Sequence, residues 1–116
     1  MRPESSRYEP FSLGLERSEH EVALVVYGEL DLASAGELEQ GVGRLRAAGE
    51  TRILLDLRHV DFIDSTGLRV LISLRNDARR GAHDLILVPP PAGVRRIFEI
   101  TGTRGFFDWR SDRQDR

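Results

Sequence analysis

The chain has 116 residues, of which 40% are hydrophobic, 31% are charged and none is cysteine, a composition that suits one compact domain and is too short for two independent cores. Without cysteine there is no disulfide framework and no thiolate-ligated zinc or iron–sulfur site, so a reducing, cytoplasmic compartment is the expectation. All 17 basic residues are arginine, scattered among 19 acids for a formal charge of −2, which is not the one-sided positive surface of a nucleic-acid binder.

Residues 1–10, MRPESSRYEP, and 110–116, RSDRQDR, are polar and aperiodic; they are expected to be flexible tails around a folded domain spanning 11–109. The first ten residues lack the apolar stretch of a signal peptide, and the longest apolar runs fall far short of a bilayer span, so no membrane partner is expected. Alternation at Phe11, Leu13 and Leu15, followed by the run VALVVYGEL, predicts two strands joined by a hairpin across Arg17 to Glu21. Ser34 followed by Glu37 has the spacing of a capping box and predicts a helix start. Ala35, Leu38, Val42 and Leu45 continue it, and Gly49 ends it.

RILLDL, residues 52–57, is an apolar run expected to form an interior strand covered on both faces. A second helix is predicted from about Thr66 to Arg80, closed by Gly81. Leu85 to Val88 reads as another short buried strand, which Pro89, Pro90 and Pro91 stop while favouring a new helix. Val94, Ile97, Phe98 and Thr101 give that helix its apolar stripe, and Phe106 to Trp109 form a last strand. This order of elements predicts the α/β class, with a mostly parallel or mixed sheet and crossover helices.

Phosphate-binding glycine loops, dinucleotide fingerprints, zinc-protease and nucleophile-elbow motifs are all missing from the sequence. His20, His59 and His83 lie in or beside predicted turns, too far apart for a metal signature, and are expected to be exposed; no metal and no bound cofactor is expected. His59, Asp64 and Ser65 are the residue types of a hydrolase triad, but one loop rarely supplies triad geometry. Asp61 and Asp64 are either a carboxylate pair or, with no third ligand nearby, a solvated acidic loop.

RHVDFIDSTGLRVLISL passes from a buried strand through an acidic loop into a helix. There Ser65 is expected to cap, with Thr66 and Gly67 in the first turn. On a wheel advancing about 100° per residue, Gly67, Val70, Leu71, Leu74 and Ala78 share one core-facing arc. Leu68 and Ile72 fall outside it, on the side of Ser65, Arg69, Arg75 and Asn76. Two readings follow: a partner-docking patch, or apolar residues covered by the third helix or a neighbouring loop.

DFIDSTGL and GELDLASAGEL resemble, in the right order, the two hallmark segments of the STAS family, specifically of bacterial anti-sigma factor antagonists. RILLDLRHV and PPPAGVRRIFEITG resemble the strand before the DFIDSTGL segment and the third helix of that family, so the similarity runs from about Phe11 to Trp109. The resemblance implies a single STAS domain, a curved mixed sheet with helices packed on one side. It implies a binding protein and not an enzyme: one that, unphosphorylated, binds an anti-sigma factor and frees the sigma factor. The anti-sigma factor is often a serine kinase whose ATP and magnesium are its own, and a serine phosphatase reverses the modification. By motif position the phosphorylated residue is Ser65. Asp31, Asp64, Thr66, Gly67, Leu68, Arg69 and Ile72 are then the partner-binding candidates. Within that set Asp64 either orients the acceptor hydroxyl or caps a loop amide, and Thr66 is a weak second acceptor. Arg69, where many relatives carry a small residue, either holds the phosphate or meets an acid on the partner.

A phosphoryl group adds about −1.5 to −2 charges at a helix start that tolerates an anion, so the helix is expected to survive. Each of Asp31, Asp61 and Asp64, if about 5 Å away, would cost roughly 1–3 kcal/mol before screening. A partner packed there would also have to desolvate a dianion. The alternative within the same fold is a scaffold or sensor subunit of a larger signalling or transport assembly, with no phosphoswitch.

Overall fold

In the computed structural model, which describes residues 10–110, the elements in chain order are β1 (Ser12–Arg17), β2 (Val22–Leu30), α1 (Ala35–Ala47), β3 (Arg52–Ile63), α2 (Ser65–Gly81), β4 (Asp84–Val88), α3 (Ala92–Ile100) and β5 (Asp108–Trp109), with a 3-10 turn at Arg104–Phe106 before β5. Residues 1–9 and 111–116, most of the expected tails, lie outside the described residues. Arg110 does not behave as tail: its amide donates to the Leu87 carbonyl at 2.8 Å and its guanidinium grips Glu21 at 2.8 and 3.0 Å. The fold therefore extends past the expected boundary at Trp109.

The sheet order is β1-β2-β3-β4-β5, antiparallel between β1 and β2 and parallel elsewhere. Each crossover, β2-α1-β3, β3-α2-β4 and β4-α3-β5, steps one strand in the same direction. Parallel crossovers are right-handed, so three such steps put all three helices on one face. The core agrees with this. Val22, Leu24, Val26, Ile53, Leu55, Leu57, Leu85 and Leu87 meet Leu38, Val42, Leu71, Leu74 and Phe98 in one buried cluster, whereas Ala23, Leu54 and Val88 form a separate buried patch. The first half of β3 is thus buried on both sides, as its apolar run requires, and Asp56 within that run is buried too, bonded to the Arg58 guanidinium at 3.0 and 3.1 Å.

β3 runs six residues beyond RILLDL. Its second half, RHVDFI, buries only Val60 and Ile63 and pairs with β2 alone, through two register irregularities, while β4 stops at the Asp56↔Val88 pair. An edge-like half-strand can be polar, which is why the apolar run ends before the strand does.

Four local expectations are corrected. Ser34 makes no side-chain cap bond in α1; its hydroxyl is buried and donates to the Glu29 carbonyl at 2.6 Å while accepting from the Asp31 amide at 3.0 Å. Gly81 is the last residue of α2, and the left-handed residue is Ala82, at φ 56°. Thr101 is exposed and hydrogen-bonds the Ile97 carbonyl at the end of α3 instead of joining its stripe. The last strand is only Asp108–Trp109, because Phe106 belongs to the 3-10 turn. Phe98 still anchors this end, edge-on to Phe107 and Trp109 at 5.6 and 5.1 Å between ring centres.

Candidate functional site

β2 and β3 end side by side, with Leu30 opposite Ile63, so the residues that leave the sheet together are Asp31 and Asp64. Each begins a different connection, and each carboxylate is turned back on its own backbone.

Asp64 is extended (φ −104°, ψ −173°) and is the N-cap of α2: its Oδ1 accepts from the Gly67 amide at 2.9 Å, and its carbonyl accepts from the Leu68 amide at 2.9 Å. Of the two roles open to it in the sequence, the structure supplies the amide cap, and Ser65 is not the cap. Ser65 is the first residue of the helix, exposed, and its hydroxyl makes no hydrogen bond among the described residues. An acidic cap thus leaves the neighbouring hydroxyl unengaged.

Gly67 is buried against the end of β2. A Cβ built on it would lie 2.2 Å from the Leu30 carbonyl oxygen, well inside any real contact. The Asp64 amide also reaches that carbonyl, at 3.3 Å. Gly67 therefore belongs to the site as the residue that lets α2 start close against the sheet, with no side chain to offer a partner.

Asp31 opens a tight turn. Its Oδ1 accepts from the Ala33 amide at 3.0 Å and lies 3.3 Å from the Ser34 hydroxyl, and its carbonyl receives the Ser34 and Ala35 amides at 3.2 and 2.9 Å. The Asp31 carboxylate and the buried Ser34 hydroxyl together build the turn that stands beside the start of α2. At its tip Leu32 is 79% exposed. The motif reading passed over Leu32; the signal was an apolar residue between Asp31 and Ser34, inside a turn that these two close by hydrogen bonds.

Leu68 overturns the docking-patch reading. It is 6% exposed and belongs to the main core. Ile72 is half-buried and packs against the same core. The wheel drew too narrow an arc: both positions are part of the core and not a free docking patch, and Phe106, in the segment before β5, lies against Arg75 of the same helix, whose guanidinium is 3.9 Å from the ring centre. Thr66 is half-buried, and Arg69 is exposed with no hydrogen bond or ion pair among the described residues.

The hydrolase arrangement does not form. His59 lies on β3, stacked on Tyr27 at 4.9 Å between ring centres. The strand from there to Ile63 spans about 13 Å, and the Asp64 carboxylate is committed to a backbone amide. Asp61 is exposed on β3, and among the described residues no three His, Cys, Asp or Glu side chains gather as metal ligands. His20 is exposed as expected, but His83 is half-buried, with an Nε2 that has no hydrogen-bond partner among the described residues. No helix among the described residues is long and apolar enough to cross a membrane.

An acidic-capped helix carrying a bare serine, seated beside an Asp-built turn on a mixed five-stranded sheet, defines the class. The STAS domain model matches residues 13–115, and the chain belongs to that family. The Anti-sigma-B factor antagonist of Staphylococcus aureus is 32% identical over 79 residues, covering 68% of this chain and 73% of that protein. Among solved structures, an anti-sigma factor antagonist from Mycobacterium paratuberculosis superposes with a TM-score of 0.76 at 24% identity, over 91% of this chain and 90% of the other. The Bacillus cell fate determinant SpoIIAA in its phosphorylated form does so with a TM-score of 0.64 at 20% identity, over 87% and 93%.

Proposed function

We propose that this chain is a cytoplasmic anti-sigma factor antagonist: in its unmodified form it binds an anti-sigma factor and releases the sigma factor, and phosphorylation of Ser65 switches it off. The observation that carries this reading is the Ser65 hydroxyl, exposed and unbonded on the first residue of α2 while Asp64 performs the capping. Relatives named as anti-sigma factor antagonists, and a phosphorylated fold relative, support it.

The physics of the site fits such a switch. Asp64 takes up the Gly67 amide and, through its carbonyl, the Leu68 amide. The amides of Ser65 and Thr66 are the ones left at a terminus that favours an anion. A phosphoryl group can therefore be added without unwinding the helix. The cost falls on the complex, where a partner closing over Ser65, Leu32 and Arg69 would have to strip water from a dianion. On this reading the chain is a substrate and not a catalyst. The partners are an anti-sigma factor with serine kinase activity, which brings its own ATP and magnesium, and a serine phosphatase; neither nucleic acid nor membrane takes part.

Incubation with the cognate anti-sigma factor, ATP and magnesium should add a single phosphate to the wild type and none to Ser65→Ala, read by intact mass. That variant should fold as the wild type does, because the cap is Asp64. Ser65→Asp should bind the anti-sigma factor at least about tenfold more weakly, a difference of about 1.4 kcal/mol. Unreduced phosphorylation of Ser65→Ala would overturn the assignment.

A further inference from the structure

In the proposed switch Arg69 is no more than part of the docking surface. Arg69 follows Ser65 by four residues on α2, which places the two on one face with Cβ atoms about 5–6 Å apart. Side chains on a helix lean toward its N-terminus, so a long side chain at 69 covers the turn that Ser65 begins. The order is also the favourable one, with the anion N-terminal to the cation.

Among the described residues Arg69 has nothing else to hold. The residues within helical reach of it are Ser65, Thr66, Ile72 and Ser73, none of them acidic. The nearby carboxylates of Asp64 and Asp31 accept from backbone amides. The other arginines of α2 are engaged or distant: Arg75 lies over Phe106, Arg80 pairs with Asp77, and Arg79 stands about 21 Å along the axis from Ser65. An exposed guanidinium with no partner among the described residues, one turn from an unbonded hydroxyl, is therefore poised for an anion placed on that hydroxyl.

We infer that Arg69 is the internal counter-ion of a phosphoryl group on Ser65, closing a phosphate–guanidinium bridge across the first turn of α2. The inference rests on the reading of Ser65 as the modified residue and deepens it. Guanidinium matches phosphate with two parallel N–H···O bonds, so the bridge has geometry as well as charge. It has two consequences for the switch. The modified helix start is held by its own chain, and the cation that faces outward in the unmodified form is drawn in, so one modification both adds a dianion to the docking surface and removes a guanidinium from it.

The test separates this from the identity of the modified residue, because phosphoserine can be encoded at position 65 during synthesis of the full chain, without any kinase. Phosphorus NMR titration should show the phosphate of the otherwise wild-type chain losing its second proton about half a pH unit lower than in Arg69→Gln, since an ion pair at a helix surface favours the dianion by that order. Arg69→Lys should restore most of the difference, as a point charge without the fork. The side-chain Nε–H resonance of Arg69 should move with the same titration. Superimposable phosphate titrations of the wild type and Arg69→Gln, with an unmoved Nε–H, would overturn the bridge while leaving Ser65 as acceptor intact; failure of the kinase reaction would do the reverse.

Discussion

The carbonyl oxygen of Leu30 occupies the place where a side chain on Gly67 would have to go, 2.2 Å from the position of a Cβ there. That contact joins the end of β2 to the first turn of α2 and so sets where Ser65 stands relative to the turn opened by Asp31. Backbone cannot yield as a flexible side-chain tip does.

Gly67→Ala should therefore act far beyond its single methyl group. The helix start must lift off β2, breaking the Asp64 amide contact with Leu30, and the loss should be about 1–3 kcal/mol, in the range of overpacked cores. Chemical denaturation would measure it. Gly36→Ala, on α1 with open space around its Cβ position, is the control and should be neutral or stabilising, because alanine favours a helix by up to about 1 kcal/mol over glycine.

Leu68 should act on stability and Leu32 on binding. Leu68→Ala removes buried methyl groups from the main core and should cost about 2–4 kcal/mol of stability. Leu32→Ser, at a position 79% exposed, should change stability by less than about 0.5 kcal/mol. Affinity for the anti-sigma factor should respond in the other sense, weakening about tenfold or more in Leu32→Ser, as an apolar anchor at an interface does. Denaturation midpoints together with calorimetric titration would distinguish the two; a stable Leu68→Ala would contradict its place in the core.

Acid should weaken the fold in two stages. Burial, reinforced by Arg46 and opposed by Asp84 and Asp77, holds the His83 imidazole below its ordinary value. The unfolded chain then binds more protons than the folded one below about pH 6.5, so stability is full above that point and declines as the pH falls. The Arg110 guanidinium, helped by Arg52 and opposed by burial, holds the Glu21 carboxyl below the usual carboxylate range. Its contribution is present above the unfolded value of about 4.3 and is lost as the pH falls through the folded one. Urea midpoints followed from neutral pH down to about 3 should show His83→Gln flattening the upper stage and Glu21→Gln the lower. Glu21→Gln should also cost about 1 kcal/mol at neutral pH, where it leaves Arg110 and Arg52 facing an uncharged amide.

Much of the site was legible along the chain. The acidic loop between an apolar strand and a helix and the serine at its end are local patterns, Asp31 came into view only through the resemblance of GELDLASAGEL to the family's segment, and the strands and helices followed from periodicity. Two of the misjudged points concern hydrogen bonds with two local solutions. A Ser–x–x–Glu spacing permits a capping box, but Ser34 has a carbonyl within reach at Glu29, and burial of the hydroxyl favours that bond. At α2 both Asp64 and Ser65 could have capped; the carboxylate is the stronger acceptor, and it took the amide.

By itself, the sequence determined the α/β class, the order of elements, the helix on which Ser65 sits and the chemistry of its neighbours, because apolar spacing and capping residues act over a few positions. Only the tertiary structure decided that Leu68 faces inward, that Leu32 faces outward, that β3 continues past its apolar run and that Arg110 is part of the fold. Each of those depends on which surfaces the parallel crossovers bring together: burial is a property of two elements in contact, and a wheel or an alternation describes only one of them.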